Sequence, residues 1–230
     1  KVTAVSYIDK DTRQERRIRC RAVVLAASAC ESTRILLNSK SPRHSNGLAN
    51  GSGVVGKFLT DTVGYSMRAH VPALEGMQLY NSDGMGGMHV YVPWWEWNKP
   101  NKDFPRGYHI EIGGGYSMPG IGTFNGVCSR SQGYGTSLKE AIKKDYGTWV
   151  NLAGRGEMIP NADTYCDIDP QVVDKWGIPV LRFHFKWTDH EHKMVDHMEK
   201  TFRAILEGIG GKVTPDTRTA QEKISLGGEI

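Results

Sequence analysis

The sequence predicts a mixed architecture: a partial α/β portion at the N-terminal end, then an α+β domain in which helices pack on an antiparallel sheet. Three observations carry this. An apolar run, Val23-Val24-Leu25, meets small residues, Ala26-Ala27-Ser28-Ala29, and then a helical pattern, as a buried parallel strand does on turning into a helix. Aromatic and β-branched runs recur between Gly- and Pro-rich turns beyond residue 60. A long amphipathic segment with a capping box follows them.

Residues 1–8 and 15–25 read as two strands joined by the polar turn Asp9-Lys10-Asp11-Thr12. From Arg13 to Arg21 arginines alternate with apolar residues, the pattern of a hairpin's solvent face. A helix beginning around Glu31 and Ser32 carries Ile35, Leu36 and Leu37 and ends near Asn38-Ser39. In an open α/β sheet the crevice beyond a strand's carboxyl end receives nucleotides. A strand–turn–helix junction without a ligand has the same composition, and the residues alone leave both readings open. The small-residue loop 46–53 lacks the Gly-Lys-Ser/Thr ending of a phosphate-cradling loop and reads as a joint between two domains.

Runs at 62–71, 88–95, 106–116, 147–153, 162–168 and 179–187 read as strands of an antiparallel sheet with one face in the core and a polar face open to something else. Alternation places Phe183, Phe185 and Trp187 on the core face and Arg182, His184 and Lys186 on the polar one. Trp94, Trp95 and Trp97, beside Pro93 and Pro100, read as an exposed loop, an aromatic cluster that packs on its own domain or, as the alternative, a lid or partner patch. Thr188 and Glu191 form a capping box, and Val195, Met198, Phe202, Ile205, Leu206 and Ile209 make one core-facing stripe. Gly208, Gly210 and Gly211 stop this helix. The expected division is 1–60, then 61–211 with a long helix at 189–208, then a return segment at 212–230.

The 230 residues, 39% hydrophobic, suffice for one large or two small cored domains. A net charge of +4 without a basic block argues against a nucleic-acid partner, and no apolar run approaches the length of a membrane span. Four cysteines without a Cys-x-x-Cys pair point to neither a zinc knuckle nor a disulfide framework. The start at Lys1 in a strand-like run and the stop at Gly227-Gly228-Glu229-Ile230 read as an internal piece of a longer protein.

Four histidines crowd the stretch 184–197. His190 and His192 face different directions on a helix, and His190 and His197 stand about 10 Å apart. No metal site is expected among them; solvated helix histidines are. His109 and Glu111 share one strand face, where the pair can bind a hydroxylated ligand or exchange protons, as an alternative to a merely structural histidine. Neither Gly-x-Gly-x-x-Gly nor Gly-x-Ser-x-Gly occurs, so the chain holds no self-sufficient catalytic constellation.

Three stretches taken in order resemble the glucose–methanol–choline (GMC) flavoprotein oxidoreductases. Residues 23–37 resemble that family's Val-Val-Leu-Ala-Ala-Gly-Ala-x-Glu-Ser-x-Arg-Leu-Leu segment, and residues 53–61, Gly-Val-Val-Gly-Lys-Phe-Leu-Thr-Asp, resemble its Val-Gly-Arg-Asn-Leu-x-Asp-His loop. Residues 154–187 are similar to the start of its carboxyl-terminal region. Within the family the chain is most similar to the branch of gluconate-type sugar-acid dehydrogenases and pyranose oxidases. Ser28 stands where that pattern has Gly, and Thr62 where it has His.

The resemblance implies FAD as cofactor and hydride transfer from a CH–OH group of a sugar, sugar acid or related alcohol. It implies a sheet that serves as substrate domain with its polar face toward the flavin. Ala26, Ala27, Ser28, Ala29 and Glu31 are then the cofactor-side residues, and His109, Asn151 and His184 the substrate-side residues. The family's glycine-rich strand–turn–helix is expected before Lys1 and its catalytic histidine just after Ile230, so this piece alone is expected neither to hold FAD tightly nor to turn over sugars. An electron-acceptor subunit is a possible further partner under this resemblance. A non-catalytic carbohydrate-binding or scaffolding domain is the competing expectation.

Overall fold

The computed structural model describes residues 2–77, 90–95, 98–99, 101, 103–114, 121–131 and 133–227. Along the chain run β1 (Ala4–Ile8), β2 (Glu15–Arg19), α1 (Ser28–Asn38), β3 (Thr62–His70), β4 (Val90–Trp95), β5 (Tyr108–Gly114), α2 (Ile121–Arg130), α3 (Gly135–Asp145), β6 (Trp149–Glu157), β7 (Tyr165–Val173), β8 (Pro179–His184), α4 (Asp189–Gly208), β9 (Lys212–Val213), α5 (Ala220–Lys223) and β10 (Ser225–Leu226). Two compact units form, one from residues 1–60 and 159–186, the other from 61–158 and 187–229. The chain leaves the first unit after residue 60 and returns to it at 159. Residues 159–186 cluster with the first unit, whereas the sequence reading groups them with 61–211.

In the first unit β1 and β2 form an antiparallel hairpin, with Val5 opposite Ile18. Its turn is organised by Asp9, whose carboxylate accepts from the backbone N–H groups of Asp11 and Thr12 at 3.1 and 2.9 Å. The segment after it departs from expectation. Val23, Val24 and Leu25 belong to no strand, and Val24 is 90% exposed. An apolar β-branched run becomes a buried strand only where neighbours supply a ladder and cover its faces, and none does so among the described residues.

Helix α1 starts at Ser28, three residues earlier than the sequence places it, and Ser28 itself sits at φ +68°. The helix is held to the β7–β8 hairpin by Arg34, which donates to the Pro179 carbonyl at 2.8 Å, the Ile178 carbonyl at 3.0 Å and the Asp174 carboxylate at 2.7 Å. Asn38 adds a bond to the Pro179 carbonyl at 3.1 Å. Asp174 in turn shapes the hairpin turn, accepting from the N–H groups of Trp176 and Ile178 at 2.8 and 3.0 Å. The loop at 46–53 does not join domains but folds back within this unit: Gly47 is buried against α1 and the Leu48 N–H donates to the Leu36 carbonyl at 2.9 Å. Gly56 follows at φ +85°, with Cys166 N–H donating to its carbonyl at 2.7 Å. A Cβ at Gly56 would collide with the Cys166 carbonyl, so glycine is required there twice over.

The second unit is built on an antiparallel sheet in the order β10-β3-β6-β5-β4, with β9 also pairing β3. β3 and β6 pair along their whole length, from Thr62 opposite Glu157 to His70 opposite Trp149. The period-two alternation buries Val63, Tyr65, Met67 and Ala69 of β3 with Tyr108, Ile110 and Leu152 on one face. Helix α4 covers that face with Met194, Val195, Met198, Phe202 and Leu206, all buried. Each such side chain contributes about 1.5–3 kcal/mol by leaving water. The helix starts at the Thr188–Glu191 capping box: the Thr188 N–H and hydroxyl both donate to Glu191 Oε2, the former at 2.7 Å. It stops at Gly210, φ +77°, where the Gly211 N–H donates to the Leu206 carbonyl at 2.8 Å.

Two expectations about strands need correction. The runs at 162–168 and 179–187 do not extend this sheet; β7 and β8 pair with one another in the first unit. Phe183 is half exposed, and the strand ends at His184, so Phe185 and Trp187 do not share a strand face with it. Alternation reports which side chains share a face, not which strand lies alongside. Trp94 and Trp95 lie in β4 and not in a loop. Trp94, at φ +54° and 61% exposed, marks a register shift between Val92 and Trp95. Trp97 lies outside the described residues, as do Gly228, Glu229 and Ile230.

Candidate functional site

The face of the β3-β6-β5-β4 sheet away from α4 gathers most of the polar candidates. Pairing fixes two rows across it: Gly64, Arg155 and His109, and then Ser66, Ala153, Glu111 and Tyr91. His109 Nε2 lies 3.2 Å from Glu111 Oε1, and the Tyr91 ring meets the imidazole edge-on at 5.6 Å. The carboxylate of Glu111 is largely buried, whereas 36% of the His109 side chain remains exposed. The arrangement offers an incoming hydroxyl both donor and acceptor groups beside an aromatic ring.

Asn151 stands on the same face, opposite Gly113 and Arg68, and is exposed. Four residues of strand separate its row from that of His109, about 14 Å. His184 belongs instead to the first unit. It stacks on Tyr165, its cross-strand partner, at 4.1 Å, and its Nε2 lies 3.4 Å from Asp167 Oδ2. Lys57 covers the Tyr165 ring at 3.5 Å. Two bonds from Arg182, at 3.0 and 2.9 Å, hold the Asp167 carboxyl below its ordinary range, and His184 reinforces this. The three substrate-side candidates therefore do not form one cluster within a unit.

The cofactor-side candidates lie at the start of α1. Ala26, Ser28 and Ala29 are exposed, and no side chain caps the first-turn N–H groups. Such a terminus presents donors and a partial positive charge to an anion, and the alanines let it come close. Ser32 turns back to accept from the Ala27 N–H at 3.3 Å. Glu31 Oε2 accepts from Arg34 at 3.3 Å, and the rest of its carboxylate is exposed.

Sequence reasoning missed two arrangements. His197 is not simply solvated: a hydrogen bond of 2.9 Å joins its Nδ1 to the buried Tyr108 hydroxyl, and Phe104 packs on its edge at 5.2 Å. Asp216 and Arg218 form a fork at 2.9 and 2.8 Å, with the Tyr65 hydroxyl donating to Asp216 at 3.3 Å. The Arg218 guanidinium brings the Asp216 carboxyl down to about 2, while burial, with Glu199 and Asp216 nearby, pushes the Tyr65 hydroxyl well up. A repeated Asp-x-Arg spacing was the available signal for the fork; nothing local pointed to Tyr108. Among the described residues, no group of three His, Cys, Asp or Glu is placed to hold a metal, and no helix is long and apolar enough to cross a membrane.

No family model matches the sequence. The chain is similar to the 2-methyl-1,2-propanediol dehydrogenase of Mycolicibacterium austroafricanum, 25% identical over 225 residues, covering 94% of this chain and 39% of that protein. It is similar to the fructose dehydrogenase large subunit of Gluconobacter japonicus, 24% identical over 212 residues, covering 92% of this chain and 37% of the relative. The gluconate 2-dehydrogenase flavoprotein of Pantoea cypripedii is 26% identical, covering 100% of this chain and 38% of its own length. The chain thus spans under two fifths of the length of these relatives. Along nearly all its own length it is similar to proteins named as dehydrogenases, one of them named a flavoprotein.

Proposed function

We propose that this chain is the central part of an FAD-dependent oxidoreductase of the GMC type, acting on CH–OH groups of a sugar, sugar acid or related alcohol. The observation that carries the proposal is the similarity, over 92% or more of the chain, to three proteins named for dehydrogenation of a diol, a sugar and a sugar acid. In this reading the first unit supplies cofactor contacts and the second supplies substrate contacts.

The start of α1 fits a phosphate-bearing cofactor: small residues, an uncapped helix terminus of an 11-residue helix, and exposed backbone. Ala26, Ala27, Ser28 and Ala29 would hold FAD, with Glu31 beside them at the helix start. Bound FAD supplies the hydride acceptor. His109 and Glu111 orient hydroxyl groups from the sheet face, and no residue of this chain is assigned the removal of the hydroxyl proton. An electron-acceptor subunit fits the reading, since one relative is named a large subunit.

The test is the flavin itself. The protein containing this chain, expressed over its whole reading frame, is expected to purify with a visible flavin band that bleaches anaerobically on adding a sugar or polyol. Saturable sugar binding by a flavin-free protein would support the carbohydrate-binding domain instead.

A further inference from the structure

We infer that Arg155 is an oxyanion anchor on the polar sheet face, so that the hydroxylated substrate carries a carboxylate. This deepens the proposed reading and rests on it for the statement that this face binds substrate.

The inference starts from charge pairing. Among the described residues, Arg16, Arg34, Arg106, Arg130, Arg182, Arg203 and Arg218 each have a carboxylate within ion-pair distance. Arg13, Arg17, Arg19, Arg21, Arg43 and Arg68 have none and are exposed; Arg155 has none among the described residues although it is partly buried in the middle strand of the sheet. Its one protein acceptor among them is the adjacent Gly154 carbonyl, at a long 3.4 Å. The carboxylates on its own face are already engaged, Glu111 by His109 at 3.2 Å and Glu157 by Arg106 at 3.6 Å.

Room is also provided. Arg155 is flanked across the sheet by Gly64 on one side and His109 on the other. A Cβ at Gly64 would stand 2.6 Å from Ser225 Oγ and 3.2 Å from Arg155 Nη1, so the glycine lets the Ser225 hydroxyl and the guanidinium both lie against β3. Ser66 and Ala153, in the neighbouring row, add small side chains. A permanently charged planar fork, lacking a carboxylate partner among the described residues and bordered by a His–Glu pair, matches a carboxylate bound through two parallel N–H donors, with the polyol chain running toward His109.

The test compares D-gluconate with D-glucitol, which share a six-carbon polyol chain and differ in one carboxylate, by calorimetric titration of the protein containing this chain, expressed over its whole reading frame. Gluconate is expected to bind at least tenfold more tightly. The preference should vanish in Arg155→Gln, shrink in Arg155→Lys and weaken with added salt, with circular dichroism unchanged in both variants. Equal affinity for the two ligands, or a preference that survives Arg155→Gln, overturns the inference. Inorganic phosphate and FAD are titrated in parallel. Tighter, Arg155-dependent binding of either one assigns the anchor to a phosphate and overturns the carboxylate. Flavin-dependent oxidation of uncharged polyols, indifferent to Arg155, would overturn this inference while leaving the dehydrogenase reading intact. Arg155-dependent gluconate binding in a protein without flavin would do the reverse.

Discussion

Gly154 on β6 lies directly beneath Phe202 of α4: a Cβ on the glycine would stand 2.9 Å from the ring Cζ and 2.7 Å from Met198 Sδ. The missing side chain sets how closely helix and sheet approach. Gly154→Val is expected to destabilise the fold by about 1–3 kcal/mol, because the ring and thioether must move out of a packed layer. Urea denaturation checks this, and pairing the change with Phe202→Leu should recover part of the loss.

Ser28, φ +68°, and Phe58, φ +57°, are two non-glycine residues in the left-handed region. The resembled family pattern has Gly and Asn at these places, residue types that tolerate that conformation. Ser28→Gly and Phe58→Asn are each expected to raise stability by about 1 kcal/mol, read as a higher urea midpoint with unchanged slope. A loss from Phe58→Asn would mean that its half-exposed ring packs more usefully than its backbone is strained.

Acid sensitivity should be traceable to Asp216. Its carboxyl is brought down to about 2 from an ordinary 3.8 by the Arg218 hydrogen bonds. A depressed folded-state pKa means stability fully present above the unfolded value and lost as pH falls from about 4 toward 2. After solvent screening the effect is about 1 kcal/mol. Asp216→Asn should flatten the stability-versus-pH curve across that window, measured by thermal melts from pH 5 to about 2.

Arg34 joins the motif at 31–34 to the β7–β8 hairpin through three acceptors. Arg34→Lys keeps the charge but cannot reach all three, so it should lower the melting temperature far more than Glu31→Ala. Limited proteolysis near Asp174 should accelerate in the same variant.

His109→Ala removes the exposed member of the pair with Glu111. In a flavin-loaded protein it is expected to raise KM for a polyol about tenfold, with kcat less affected, because a substrate hydrogen bond is lost. Unchanged KM in a folded variant would return His109 to a structural role.

Much of this molecule is legible where causes are local. The Thr188–Glu191 box and the stripe from Val195 to Leu206 identify α4, because three- and four-residue spacings are the contacts themselves. The alternation in 62–70 and 108–114 gives the buried and polar faces for the same reason. What escaped depends on distant partners. His197 meets Tyr108 across 89 residues, and Val23 to Leu25 form no strand without a neighbour to pair with. In the candidate site, His109 and Glu111 were readable as a pair two residues apart. The position of Arg155 between Gly64 and His109 required the register of three strands.

The alternation of the chain between its two units also governs the order in which it can fold during synthesis. The strands β3 to β6 emerge first, but the helix that covers their apolar face begins at Asp189, after residues 159–186 have gone to the other unit. Until α4 has left the ribosome, Val63, Tyr65, Ile110 and Leu152 face water or a chaperone. Its docking must also close a loop that contains part of another folding unit, which raises the entropic cost and slows the step. A translational pause after Lys186 would lengthen the life of the aggregation-prone sheet, and one made once α4 has cleared the exit tunnel would let the second unit's central layer close.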